Sequence, residues 1–357
     1  MTTAAILLNA SYATQKIFSN LCRGHEPCEL WKSESLWNEI GLTPAMKQKL
    51  SRLLYDDWAK RELERTENFN ARFITSYDLD YPARLLELRK PPIGLYVKGS
   101  VNLTLPSIAI VGTRKCSAYA EGVAFNLGKA LAQAGITTIS GGASGIDTAG
   151  HRGVLSVNGV TVVVFGTGLD KCYPAANRDL FARILERGAW VSEYPFGTGG
   201  KGWRFTDRDR LIAAISSTVV IAESPEGGGA MHTARIGIET GREVWSIPGR
   251  ITDEVSRGTN MLMNEGSKTL FDINSFINII KGEHVQVDIN FDVEDAEAPE
   301  LTDSEKIIYS LLRHNGGRTT DELMIESSLD IWEVQTALTC LEAEGLIANS
   351  FGRYSVC

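Results

Sequence analysis

Six stretches in the middle of the chain are apolar almost throughout: 107–112 (SIAIVG), 136–142 (ITTISGG), 160–168 (VTVVVFGTG), 189–195 (AWVSEYP), 218–224 (TVVIAES) and 243–249 (EVWSIPG). A strand with one wet face alternates apolar and polar residues, whereas one covered on both faces does not. Between these stretches lie segments with helical spacing, at 118–135, 147–159, 177–188, 209–217 and 229–242. Buried strands alternating with helices predict a parallel sheet with helices on both sides. The expected fold class is α/β: a Rossmann-like, doubly wound, mostly parallel sheet.

The flanks read differently. Residues 1–70 are expected to form a small helical, SAM-like module, because 36–65 repeats apolar residues at helical spacing and Thr43-Pro44 is a helix-start signal. The Rossmann-like domain is expected over 71–275; its first part, 71–100, reads as short strands and turns because Pro82, Pro91 and Pro92 break any long helix. Residues 276–300 read as an acidic linker, since 282–300 holds seven acidic residues and no Lys or Arg. Residues 301–357 follow the order helix, helix, helix, hairpin, which is winged-helix-like, with Asp330 as a candidate cap.

Composition adds limits. The chain has 357 residues, 43% hydrophobic and 22% charged, which suits a multidomain globular protein. Its net charge of −8 argues against a nucleic-acid binder only until the charge is located. Residues 101–275 carry 17 Lys and Arg against 16 Asp and Glu, whereas 276–357 carry 5 against 16. The acidity belongs to the tail, and the middle is free to carry a basic face. The six cysteines show no disulfide spacing, and no apolar run is long enough to span a membrane. The start lacks a basic n-region, so a cytoplasmic protein without membrane association is expected. Cys22, His25 and Cys28 could be three metal ligands, but a fourth is not in sight, and neither metal nor cofactor is expected.

Four predicted strands end in glycine: Gly112, Gly141-Gly142, Gly166 with Gly168, and Gly227-Gly228-Gly229. Glycine lets backbone approach a ligand and frees N–H groups at helix starts, where anions are favoured. The same residues also make plain tight turns. No G-x-G-x-x-G follows the first strand and no G-x-x-x-x-G-K-[ST] occurs, which disfavours a dinucleotide or P-loop site. Cations accompany the glycines instead: Arg114 and Lys115, Lys171 and Arg178, and KGWRFTDRDR with Lys201, Arg204, Arg208 and Arg210 around Trp203 and Phe205. Cations with aromatics suit a single nucleic-acid strand. A solvated charged loop, its arginines neutralised by Asp207 and Asp209, is the other reading.

These residues resemble those of the DprA/Smf family, DNA-processing protein A. The matching strings are DYPARLLELRKPPIGLYVKG (80–99), IAIVGTR (108–114), SGGASGIDTAGHRGVL (140–155), VFGTGLDKCYPAANRDL (164–180), SEYPFGT (192–198), RDRLIAAIS (208–216), TARIGIETGREVWSIPG (233–249) and SRGTNMLMNEGSKTLFD (256–272). The resemblance implies a protein that binds single-stranded DNA, protects it on entry during natural transformation, loads the recombinase RecA and forms a homodimer, with no catalysis. It also implies a DNA pocket built from Gly112, Arg114 and Lys115, a floor of Gly141, Gly142 and Ala143, the region of Lys171, Asn177 and Arg178, and the basic loop of Lys201, Trp203, Arg204, Arg208 and Arg210. This chain departs from the family's F-P-x-R-N-R at Phe205–Arg210, where Asp207 and Asp209 would oppose phosphate. The front module lacks the family's G-x-G hairpin.

A different class stays open. A LOG-like nucleotide phosphoribohydrolase on a similar sheet could use His232, Asp147 and Glu239, and SPEGGGAMHTARIGIE echoes such enzymes. Asp147 and His151, four residues apart, share a helix face as either an acid–base pair or a cap. The tail's second winged-helix segment, 330–345, has no Lys or Arg, so a protein contact is expected there rather than duplex DNA.

Overall fold

The structure, a computed structural model, describes residues 5–6, 9–10, 34–39, 41–55, 57–282, 301–315, 318–343, 346–350 and 353–356. Cys22, His25 and Cys28, and the acidic stretch from 283 to 300, lie outside the described residues. The chain falls into two compact units, Met1–Val285 and Gln286–Cys357.

The first unit opens with helices α1 (Glu34–Glu39), α2 (Pro44–Tyr55) and α3 (Trp58–Asn68). Strands β1 (Arg72–Thr75) and β2 (Gly94–Gly99) come next. The alternating part runs β3 (Ser107–Val111), α4 (Ala118–Gln133), β4 (Thr137–Ser140), α5 (Ile146–Ser156), β5 (Thr161–Phe165), α6 (Arg178–Ile184), β6 (Ala189–Ser192), α7 (Gly202–Ile215), β7 (Thr218–Ile221), α8 (Gly229–Glu239) and β8 (Glu243–Ser246). Helix α9 (Arg257–Asn264), the short β9 (Lys268–Thr269) and α10 (Ile273–Lys281) close the unit. One nine-stranded sheet holds them in the order β1-β2-β6-β5-β4-β3-β7-β8-β9. The pairs from β6 to β9 are parallel; β2 joins β6 antiparallel, with Tyr96 opposite Ser192, and β1 joins β2 antiparallel.

Packing explains why the strands do not alternate in polarity. In β5, Val162 and Val164 enter a core with Leu211 and Ile212 of α7 and Ala234 of α8. Val163 and Phe165 enter a second core with Phe181 and Ile184 of α6. In β3, Ile108 and Ile110 meet Leu127 of α4 and Ala149 of α5, while Ala109 and Val111 face α7. Both faces of the sheet are covered, so neither can be polar. Helices α4 and α5 approach closely: a β-carbon on Gly153 would fall 1.9 Å from the carbonyl oxygen of Phe125.

The front helices are not set apart. Trp37, Leu42 and Leu50 share a core with Phe73 of β1, Tyr96 of β2 and Phe181. A separate module ending at residue 70 would need its own core, and this one is continuous with the sheet's.

The second unit contains α11 (Asp303–Asn315), α12 (Thr320–Ser327), α13 (Ile331–Ala343) and an antiparallel pair, β10 (Ile347–Ser350) with β11 (Arg353–Val356). Its core joins Ile308, Leu312, Leu323, Val334, Leu338, Leu341 and Ile347. Thr319 and Glu322 form a capping box on α12, and Asp330 caps α13 by accepting from the Glu333 amide at 2.8 Å.

Candidate nucleic-acid interface

Strand β3 has β4 on one side and β7 on the other. The chain leaves β3 in one direction and returns on its other side, so the loops after β3 and β7 part and leave a crevice where ligands of such sheets sit. The Thr113 amide donates to the Glu223 carbonyl at 2.7 Å, which pins the β3 loop to the end of β7.

A cleft of 420 Å³ occupies this crevice, lined by Gly112, Arg114, Lys115, Ala143, Asp147, Arg208, Asp209 and Gly228–Gly229. A smaller depression shares Arg114, Ala143 and Arg208 with it and adds Gly141, Tyr173, Pro174 and Phe205. Arg114 and Lys115 are exposed and form no ion pair among the described residues. The Arg114 guanidinium lies 5.7 Å from the centre of the Phe205 ring, and Phe205 lies 4.8 Å from Tyr173. Tyr173 is 48% exposed. Arg114 and Arg208 therefore share one depression with Tyr173 and Phe205, and Lys115 lines the adjoining cleft.

Arg208 forms the floor. It is only 4% exposed, its Nη1 donates to the Val164 carbonyl at 2.5 Å, and its Nε lies 3.1 Å from Asp209 Oδ1. Gly141 makes room for it: a β-carbon there would fall 2.0 Å from Arg208 Nη1.

The turn's amides are not bare. Asp147 Oδ2 accepts from the Gly141 amide at 3.1 Å and the Ala143 amide at 3.2 Å. Burial pushes the Asp147 carboxyl up to about 6 against the opposing pull of Arg208. Burial likewise pushes Asp209 up to about 6, opposed by Arg208 and Arg114. His151 does not pair with Asp147; its Nδ1 sits 2.7 Å from Thr161 Oγ1, and burial, with Arg208, pulls its ring down to about 3.

Several expected contacts fall elsewhere. KGWRFTDRDR is not a loop but the first turns of α7, so its cations point in different directions. Arg210 is turned inward: it pairs with the buried Glu193, donates to the Lys90 carbonyl at 2.7 Å and pairs with Asp207 at 3.3 Å. Its charge is consumed inside the protein. Asn177 is also buried, and its Nδ2 donates to the Gly142 carbonyl at 2.9 Å and Thr148 Oγ1 at 2.8 Å, so it holds the glycine turn from behind. Gly142 faces Phe181 and Val163 rather than the mouth. Lys171 and Arg178 line a separate 500 Å³ cleft with Phe69, Phe165 and Trp190. Lys201 and Trp203 are exposed at the start of α7, and Arg204 stacks 5.1 Å from the Trp203 ring centre.

Sequence reasoning missed Tyr173 and undervalued Phe205. Their signal was the tyrosine in CYPAAN and the phenylalanine among the cations, but only the fold pairs them. The hydrolase constellation is not assembled: Asp147 lines the crevice, whereas His232 and Glu239 line another cleft, of 640 Å³, with Lys90 and Arg210. Among the described residues no cluster of His, Cys, Asp and Glu could hold a metal ion, and no helix is long and apolar enough to cross a membrane.

The chain is similar to known proteins in sequence and in fold. The sequence profile of DNA recombination-mediator protein A matches residues 72–281. Protein Smf of Escherichia coli K12 is 32% identical over 296 residues, covering 81% of this chain and 78% of its own. The structure of DNA processing protein A from Streptococcus pneumoniae superposes with a TM-score of 0.69 at 29% identity, over 79% of this chain and 98% of that one. The Helicobacter pylori protein, described for its single-stranded DNA binding mode, superposes at 0.54 with 29% identity, over 59% and 97%. The matches extend through the crevice, both its flanking loops and the antiparallel edge of the sheet, and the chain belongs to the DNA recombination-mediator protein A (DprA/Smf) family.

Proposed function

We propose that this chain binds single-stranded DNA at the crevice between β3 and β7, protects incoming strands and passes them to the recombinase RecA, as a cytoplasmic homodimer without catalysis. The observation that carries the DNA step is the convergence of Arg114, Lys115 and Arg208 with the Tyr173–Phe205 pair. Guanidinium and ammonium groups meet phosphates, and an exposed ring such as Tyr173, backed by Phe205, stacks on any base, which suits a strand read without regard to sequence. The Helicobacter pylori relative, known for its single-stranded DNA binding, supports the same reading. The recombinase and dimer steps rest on family membership.

The test is a titration of a labelled single-stranded oligonucleotide at several salt concentrations. Counterion release requires affinity to fall steeply with salt. Affinity indifferent to salt, or a preference for duplex over single strand, would remove the reading. Addition of RecA then asks whether its filament forms faster on strands carrying this protein.

A further inference from the structure

The second unit is acidic, with nine Asp and Glu against four Lys and Arg over residues 301–357. Helix α13 turns Val334, Ala337, Leu338 and Leu341 into that unit's core. The opposite side carries Trp332, Gln335, Thr336, Thr339 and Ala343, all exposed, at the three- and four-residue spacing that aligns side chains along one face. No charge falls on this stripe. Thr339 Oγ1 already donates to the Gln335 carbonyl at 2.8 Å, so the stripe is less polar than its composition implies. Glu333 and Glu342 are exposed and, at 100° per residue, stand on opposite flanks of it. Trp332 is 75% exposed, with Ile331 beside it and Ile325 82% exposed on α12, so three large apolar residues bracket one turn. Neither α12 nor α13 contains Lys or Arg.

A helix entering a DNA groove needs cations for the flanking phosphates. This one would bring carboxylates. An apolar centre holding a tryptophan, edged by negative charge, is instead the complement of an amphipathic helix whose apolar side is edged by lysine or arginine. We propose that this face of α13 is a docking surface for a cationic amphipathic helix of a partner protein, with Trp332 as the anchor and Glu333 and Glu342 taking the partner's cations. The inference is independent of the DNA crevice in the first unit.

The test uses the intact chain and a fluorescein-labelled peptide of leucine and lysine, its leucines at helical spacing, followed by anisotropy. Binding should weaken with rising salt and fall about tenfold with Trp332→Ala, the loss expected of an interface anchor. Thr336→Arg keeps the tryptophan but adds a cation to the stripe, and should weaken binding comparably. Both positions are exposed, and unchanged circular dichroism would show that the unit still folds. No binding of the peptide, or equal binding by the natural chain and both variants, overturns the proposal, the second outcome meaning indiscriminate charge attraction. So does a duplex oligonucleotide whose affinity drops on Trp332→Ala, which would make the face a nucleic-acid surface.

Discussion

The guanidinium of Arg208 occupies the space that a side chain at Gly141 would fill: a β-carbon on Gly141 would lie 2.0 Å from Nη1. Gly141→Ala should therefore displace the guanidinium, which is the movable partner, and leave the sheet intact. Loss of one charge-assisted contact at the floor predicts about a tenfold weaker affinity for single-stranded DNA, together with a lower melting temperature, because the Val164 carbonyl and Asp209 lose their buried partner. Unchanged affinity would place the strand away from Arg208.

Arg114 is exposed and forms no ion pair among the described residues, so its removal costs the fold only its contact with the Phe205 ring and its pull on Asp209. Arg114→Ala should lower DNA affinity and reduce the slope of log affinity against log salt by about 0.7, the value for one phosphate contact on a single strand. Stability to urea should change little.

Arg210 predicts the opposite pattern. Its replacement by alanine leaves Glu193, which burial already pushes up, without its cation. Stability should fall by about 3–5 kcal/mol, measured by urea unfolding. The salt slope of DNA binding should stay that of the natural protein.

The Tyr173–Phe205 pair supplies stacking surface. Tyr173→Ala should cost about 1–3 kcal/mol in binding while leaving the salt slope unchanged, because it removes a base contact and no charge. Quenching of tyrosine fluorescence on DNA addition should also diminish.

Binding should depend on pH through Asp147 and Asp209, both pushed up to about 6. Each loses its negative charge as pH falls through that value, and the field of Arg208 and Arg114 is then less opposed. Affinity should rise between about pH 7.5 and about pH 5.5, with proton uptake visible by calorimetry in two buffers. Asp209→Asn should raise affinity at neutral pH and flatten the dependence. The stability term has a related sign: these raised carboxyls favour the fold fully below about 3.9, and that contribution is lost as pH rises through about 6.

The alternating core was legible because burial on both faces leaves a signal that needs no partner to be read, as in 161–165 and 107–111. The antiparallel β1–β2 edge was legible only as short strands, since nothing in 71–100 names β6 as a neighbour. Glycine at the β3 and β4 ends marked the crevice, and Arg114 fell within it. Arg210 and Arg178 did not, for different reasons. Helix α7 begins before the expected position, and three residues on from Asp207 the Arg210 side chain meets buried Glu193 instead of solvent. Asn177 ties its loop to Gly142 and Thr148, and Arg178 follows into the separate cleft that Phe181 and Trp190 also line. Direction around a helix and folding of a loop depend on contacts distant in sequence, which spacing does not record.

Asp147 already sits on the amides of Gly141 and Ala143, and Asp209 beside Arg208. The pocket thus carries its own resident anions. On the proposed reading an arriving phosphate competes with Asp147 and Asp209 for the buried Arg208 and the turn amides, while Arg114 and Lys115 stay exposed at the mouth. On that reading grip at each nucleotide would be moderate and exchange quick, so tenacity would come from many nucleotides held at once, and a rival that peels the strand from one end would meet only a small barrier at every step.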